Sequence, residues 1–279
     1  MIKKTLFIFL FLLQLNYVQA QVQLDQGISA ATLRNGNLAY PPSLSFSDVL
    51  LRSGYLSQAE TQEFMHSNSS LYWMRLAPYY TVQRNNTSCS LATATMILNC
   101  ILEIQHPGQT KVFSQNEVLE QVGEGLWNFA TTDEGPGVTL DQYFCFLQKM
   151  LATFGVEGAQ VERIFVENLS PDTVEEIHAD LLAIADHKAT PTFLLADFED
   201  AIYLGIDLYV GHISPVGGYD PEKQRVLIMD TDRLWNGPYW ISEATFLQGM
   251  NTLDQTEGLT RPTYRGYIKI TLPAANESS

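Results

Sequence analysis

The chain has 279 residues, with 31 acidic against 16 basic side chains and a formal net charge of −15. So acidic a surface repels nucleic acid and anionic lipid, which sets both aside as partners and leaves small molecules and peptides. Past the first twenty residues no apolar run approaches the length of a membrane helix, and one domain in two lobes suits the size.

Residues 1–20 place Lys3 and Lys4 ahead of an apolar run and close on Val18-Gln19-Ala20. That is the pattern of a secretory signal with a small-residue cleavage site, so the protein is expected to be exported, to a periplasm or to the medium. Residues 21–70 read as an N-terminal arm followed by short helices, one over 47–53 and one opened by the capping box Ser57-Gln-Ala-Glu60. The aromatic-rich stretch from Leu71 to Thr81 reads as packing beneath whatever follows it.

Gln83 to Leu102, QRNNTSCSLATATMILNCIL, organises the rest. It starts as polar loop and becomes a segment whose apolar residues recur on all sides, the pattern of a helix buried over most of its surface. Cys89 sits at the mouth of that helix. Free N–H groups and the positive dipole end there favour the thiolate, the reactive form of a cysteine. Gln83, six residues earlier, is placed to fold its amide back over that sulfur as an oxyanion donor. Cys89 and Cys100 are separated by about 16 Å of helix rise, too far to bridge. A Cys100–Cys145 disulfide and two reduced core thiols both remain open, and Cys89 is left free in either case.

Further on, Ser114-Gln-Asn-Glu117 is a second capping box, with Gly123 as its helix stop. Thr139-Leu-Asp-Gln142 opens a helix to about Phe154, and Ser170-Pro171 opens another with Val174, Ile177, Leu181 and Ile184 on one face. After Lys188 the character changes: 191–197, 211–219, 225–231 and 264–272 read as antiparallel strands. Helices first and strands afterwards predict an α+β fold, a helical lobe packed on an antiparallel sheet.

Among five histidines, His66, His106, His178 and His187 fall in loop or helix contexts, with His178 and His187 read on one helix. None pairs with a cysteine or another histidine at metal-ligand spacing, so no metal site is expected. His212 opens GHISPVGGYD, a strand whose glycines allow close backbone approach. Folding 211–230 as a hairpin about Pro221-Glu222 sets His212 beside Asp230, where a carboxylate would fix the imidazole tautomer. Asp232, on the same strand parity, is the alternative. The N-x-Ser/Thr matches at Asn68, Asn85, Asn86, Asn168 and Asn276 are read as unused, since a glycan at 85 or 86 would crowd Cys89.

These blocks carry a resemblance. Gln83-x5-Cys89-x-Leu91-Ala92 with Leu98-Asn99, Gly211-His212-Ile-Ser-Pro-Val-Gly-Gly-Tyr219, and Leu227-Ile-Met-Asp230 with Arg233, Pro238 and Trp240 resemble the catalytic domain of the phytochelatin synthase family. That family is a papain-like cysteine peptidase branch, and the chain resembles its short bacterial-type members. The resemblance covers roughly 71 to 267 and implies a catalytic domain over 71–272, with a polar tail at 273–279. It implies Cys89 as nucleophile, His212 as base, Asp230 as its orienting partner and Gln83 with the Cys89 N–H as oxyanion hole. Gly211, Arg261, Tyr264 and Arg265 are the implied substrate-binding residues, the guanidinium forking onto a γ-glutamyl carboxylate.

The implied reaction attacks the Cys–Gly amide of glutathione or a related γ-glutamyl peptide, leaving a γ-glutamylcysteinyl thioester on Cys89. Water resolves it to γ-glutamylcysteine, and a second glutathione resolves it to a short phytochelatin. No cofactor is required; cadmium or zinc would enter as the metal–thiolate substrate. A homodimer is left open. Ser88 and Ser90 depart from the family's aromatic and glycine at those positions, and both are expected to line the loop nearest the acyl group. The cysteine-rich C-terminal region of plant-type members is missing, which together with the export signal favours hydrolysis. Two other readings stay open: a papain-like peptidase acting on other peptides, and a non-catalytic binding module with a relic site.

Overall fold

Helix α2 (Cys89–Gln105) is apolar on every side because it is packed on every side, with residues from Ser90 to Leu102 all buried. In the computed structural model, residues 71–108, 111–186, 191–204, 210–232, 237–255 and 263–273 are described. The leader, the arm, its short helices and the tail after 273 lie outside the described residues, as do His66, His187, Arg233 and Arg261.

The first part is helical. Helix α1 (Leu71–Leu76) runs through a 3-10 turn (Ala77–Tyr79) toward α2, followed by α3 (Gln115–Val122), α4 (Gly125–Ala130) and α5 (Leu140–Thr153). The starts of α3 and α5 are set locally. In each, the Ser114 or Thr139 side chain accepts from the backbone N–H three residues on, and Glu117 or Gln142 reaches back to the cap. Gly123 ends α3 in the left-handed conformation that glycine adopts without a Cβ clash.

The second part is a sheet. Strands β1 (Gln160–Phe165), β2 (Thr192–Glu199), β3 (Gly211–Asp220), β4 (Arg225–Ile228), β5 (Tyr239–Ser242) and β8 (Gly266–Thr271) form six antiparallel strands in the order β1-β8-β2-β3-β4-β5. Helices α6 (Pro171–Ala185), α7 (Asp200–Leu204) and α8 (Glu243–Met250) are inserted between strands, and β6 (Leu253–Asp254) pairs with β7 (Thr263–Tyr264) as a separate ribbon. β2 is buried throughout and β3 from His212 onward. Since alternate side chains face opposite sides, the sheet centre is covered on both. α1, α2 and α6 lie against β3, and α8 against β2. The architecture is α+β, as expected.

Several details differ from the expectations. The strand expected over 264–272 is divided between β7 and β8, and the segments β1, α4, α7, β5 and α8 were not foreseen. α6, which carries His178, ends at Ala185, and the expectation for His187 lies outside the described residues. All three cysteines are free thiols: Cys100 is buried, Cys145 exposed and Cys89 between these extremes, which leaves reduced cysteines rather than a Cys100–Cys145 bridge. The β3–β4 turn occupies residues 221–224, and the pairing shifts between Val216 and Gly218. Continued to the strand start, the Val216–Ile228 pairing sets His212 across from position 232, two beyond Asp230. Asp230 lies on the same face as that position, diagonally across from His212, which is within reach of a carboxylate.

β8 holds β1 against β2, and this depends on Gly266. A Cβ there would lie 2.0 Å from the Ile164 carbonyl oxygen, which is backbone and has nowhere to move. Gly266→Ala is therefore expected to cost about 1–3 kcal/mol in stability by overpacking, read as a lower denaturation midpoint with unchanged slope. A native-like midpoint would contradict the strand spacing described.

Candidate active site

The site is assembled where the mouth of α2 meets the start of β3. Ser88 precedes α2 without capping it; its hydroxyl oxygen instead accepts from the backbone N–H groups of Arg84 (2.9 Å) and Asn85 (3.0 Å), closing the loop that carries Gln83 to Cys89. Ser90 is fully buried and accepts from Trp127 Nε1 at 3.2 Å. Both hydroxyls are engaged inside the protein, which corrects the expectation that they line the acyl-group loop. They brace that loop and join α2 to α4.

Helix and strand are tied directly. The fully buried Thr93 hydroxyl, one turn below Cys89, donates to the backbone oxygen of Ile213 at 2.9 Å, and Ile213 follows His212. This bond fixes the height of the cysteine relative to the imidazole. His212 is itself 1% exposed, with the Phe198 ring edge-on to it at 5.5 Å.

His212 Nε2 and Asp230 Oδ1 are 2.9 Å apart, both buried. A carboxylate accepts only, so Nε2 carries the proton and Nδ1 is the free edge of the neutral ring. Nδ1 has no partner at hydrogen-bond distance. Cys89 is nevertheless among the groups that raise the ring's basicity, so the thiol lies near the imidazole. Burial drives the imidazole toward its neutral form. The Asp230 and Asp200 carboxylates, the Asp230 hydrogen bond and Cys89 together outweigh burial and hold the His212 pKa well above the ordinary imidazole range. The raised pKa favours the protonated ring, the form able to deliver a proton to a leaving group. By contrast burial pushes the Cys100 thiol up to about 12, which makes it inert.

Gln83 is drawn into the same place. Its backbone N–H donates to the Thr231 carbonyl at 2.8 Å, and its Nε2 donates to Asp232 Oδ2 at 2.9 Å. Asp232 thus takes the glutamine, and Asp230 takes the histidine. Asp230 is held in turn by the Asp232 N–H on Oδ1 (2.7 Å), and its carbonyl accepts from Tyr80 Oη at 2.5 Å.

The other expected residues scatter. Arg261 is outside the described residues, and Tyr264 stands half-buried on β7 opposite Leu253. Arg265 is 4% exposed and lies under Gly211, where a Cβ would fall 2.4 Å from its Nη1. Its Nη1 donates to Asp197 at 2.8 Å, while Nη2 stands 3.7 Å from both Glu199 and Asp254. Burial raises Asp197 and Glu199 to about 7 each, against the lowering effect of Arg265. One guanidinium faces three carboxylates one residue from His212. Sequence reasoning missed this cluster: its acids come from β2 and β6, and only the fold collects them.

A family model described as phytochelatin synthase matches residues 52–267. Glutathione gamma-glutamylcysteinyltransferase 3 of Lotus japonicus is 27% identical over 252 residues, covering 87% of this chain and 45% of that protein. Glutathione gamma-glutamylcysteinyltransferase 1 of Arabidopsis thaliana is 23% identical over 255 residues, covering 88% and 45%. The chain therefore spans less than half the length of these relatives.

The Asp230 carboxylate is the largest upward influence on His212. Asp230→Asn keeps an acceptor for Nε2 but removes the charge, leaving burial to dominate, so the ring should lose its proton at lower pH than in the native protein. The sign for stability follows. The charged ring stabilises the fold fully below the ordinary imidazole pKa, and this is lost as pH rises through the raised value. Ring-carbon NMR titration of His212 reads the change; an unaltered midpoint in the variant would contradict the assignment.

Proposed function

From the premise that the chain belongs to the phytochelatin synthase family, we propose that it is an exported cysteine-dependent enzyme that cleaves the Cys–Gly amide of glutathione. The observation that carries this reading is the unpartnered Nδ1 edge of His212, with Nε2 fixed on Asp230 and Cys89 at the helix mouth beside it. A thiolate facing an imidazolium is the pair that acyl transfer through sulfur needs.

In the proposed sequence, the Cys89 sulfur attacks the amide carbonyl carbon, and the carbonyl electrons move onto oxygen. The Cys89 backbone N–H and the second N–H of Gln83 Nε2 receive that oxyanion. As the C–N bond breaks, His212 passes its Nδ1 proton to the nitrogen of the departing glycine. The thioester of γ-glutamylcysteine remains. The now neutral ring takes a proton from water, whose oxygen attacks the thioester and releases γ-glutamylcysteine, restoring thiolate and imidazolium. A second glutathione molecule, offering its α-amino nitrogen in place of water and its proton to the ring, gives the transpeptidation product. Hydrolysis is put first because an exported enzyme, as residues 1–20 suggest, meets little acceptor.

Incubation with glutathione, with and without cadmium or zinc, followed by mass analysis, tests the reading. Release of glycine and γ-glutamylcysteine is expected, and Cys89→Ser should lose about 10³-fold or more of the rate. Glycine release by that variant at the native rate would remove the thiol mechanism. Cleavage confined to peptides lacking a γ-glutamyl group would replace the substrate.

A further inference from the structure

Asp232 holds two functional groups at once. Its backbone N–H donates to Asp230 Oδ1 at 2.7 Å, and its side-chain Oδ2 accepts from Gln83 Nε2 at 2.9 Å. The residue is 2% exposed, so this carboxylate is committed inside the protein and not to solvent. An ionised carboxylate accepts only, so the contact assigns the glutamine amide: nitrogen toward Asp232, oxygen away. The oxygen then falls at 3.4 Å from the Thr231 hydroxyl, a donor, which agrees with that assignment. Gln83 is further pinned by its own N–H on the Thr231 carbonyl at 2.8 Å.

We propose that Asp232 is a positioning residue for acyl transfer, one that aims the second N–H of Gln83 at the oxyanion by holding the first. An amide nitrogen carries two coplanar hydrogens. Fixing one on a charged acceptor removes the amide flip and the side-chain rotation that would otherwise scatter the other. A donor preset in this way needs no reorganisation when charge develops on the substrate oxygen. Because the Asp232 backbone also steadies Asp230, residues 230–232 form one unit that sets the base and the oxyanion donor together. The inference rests on the acyl-transfer reading above. It adds a residue that the reaction does not touch.

A double-mutant cycle on the full chain tests it, with Gln83→Ala, Asp232→Ala, the pair, and Asp232→Asn. Rates are read both on glutathione and on p-nitrophenyl acetate, which passes through the same oxyanion hole without a γ-glutamyl group. Loss of an oxyanion donor costs about 10²–10³ in kcat, and mis-aiming it should cost about tenfold or more. Asp232→Ala is expected to lower kcat with little change in KM, and the pair should be no slower than Gln83→Ala alone. Asp232→Asn, which retains an acceptor oxygen, should recover most of the loss. The His212 NMR titration should stay native in Asp232→Ala, since only the side chain is removed.

Losses that multiply in the pair, or an Asp232→Asn variant as slow as Asp232→Ala, would overturn the proposal. A native protein active on the ester but not on glutathione rejects the substrate, and the cycle is then decided on the ester. A native protein that transfers no acyl group from either overturns both readings.

Discussion

One buried hydrogen bond, from the Thr93 hydroxyl to the Ile213 carbonyl, joins the two halves of this protein where the chemistry would occur. Helix α2 carries the thiol and strand β3 carries the imidazole, and nothing in local sequence brings them together. Burial of α2 on nearly every face makes its position stiff, because a close-packed helix cannot slide without opening voids. The Thr93 bond converts that stiffness into a register between Cys89 and His212. A bond made inside such a core would leave an unsatisfied carbonyl if broken, at a cost of about 1–3 kcal/mol.

Around that joint the protein gathers buried charge, which costs free energy unless it is paired. His212 is compensated by Asp230 and Asp200, and the balance favours the protonated ring despite burial. Beneath Gly211 the balance is different. One guanidinium faces Asp197, Glu199 and Asp254, and burial leaves both Asp197 and Glu199 at about 7. Both folded values lie above those of the unfolded chain, so the cluster's stabilisation is greatest at acidic pH and declines as pH rises through neutrality. A structure selected only for stability would gain by replacing such a cluster with packed apolar groups.

Much of the site was legible in the sequence because its signals are local. A polar lead into an all-round apolar segment marks a helix mouth, and the Ser114 and Thr139 capping boxes are read from four residues each. His212 and Asp230 were joined by hairpin arithmetic that was two residues off in register. The pairing of side chains still held, because Asp230 shares a face with the position opposite His212 and its carboxylate reaches diagonally. What was not legible is long-range. β1 is a half-exposed edge strand whose partner lies over a hundred residues away in β8. The link from Gln83 to Asp232 spans 149 positions, and the acids around Arg265 come from separate elements. Ser88 and Ser90 show the same limit. Their neighbours in sequence suggested a substrate loop, whereas their partners in space make them braces.

The central claim is that the Cys89 sulfur faces the Nδ1 edge of His212, and a short bifunctional alkylator tests it most directly. 1,3-Dibromoacetone, whose two reactive carbons flank one carbonyl, bridges a thiol and a ring nitrogen only when they are close neighbours. Peptide mapping by mass spectrometry should find residue 89 joined to residue 212 in the native protein, and no such link after unfolding. Capture of the Cys89 sulfur alone, or its attachment to any other residue, would contradict the account.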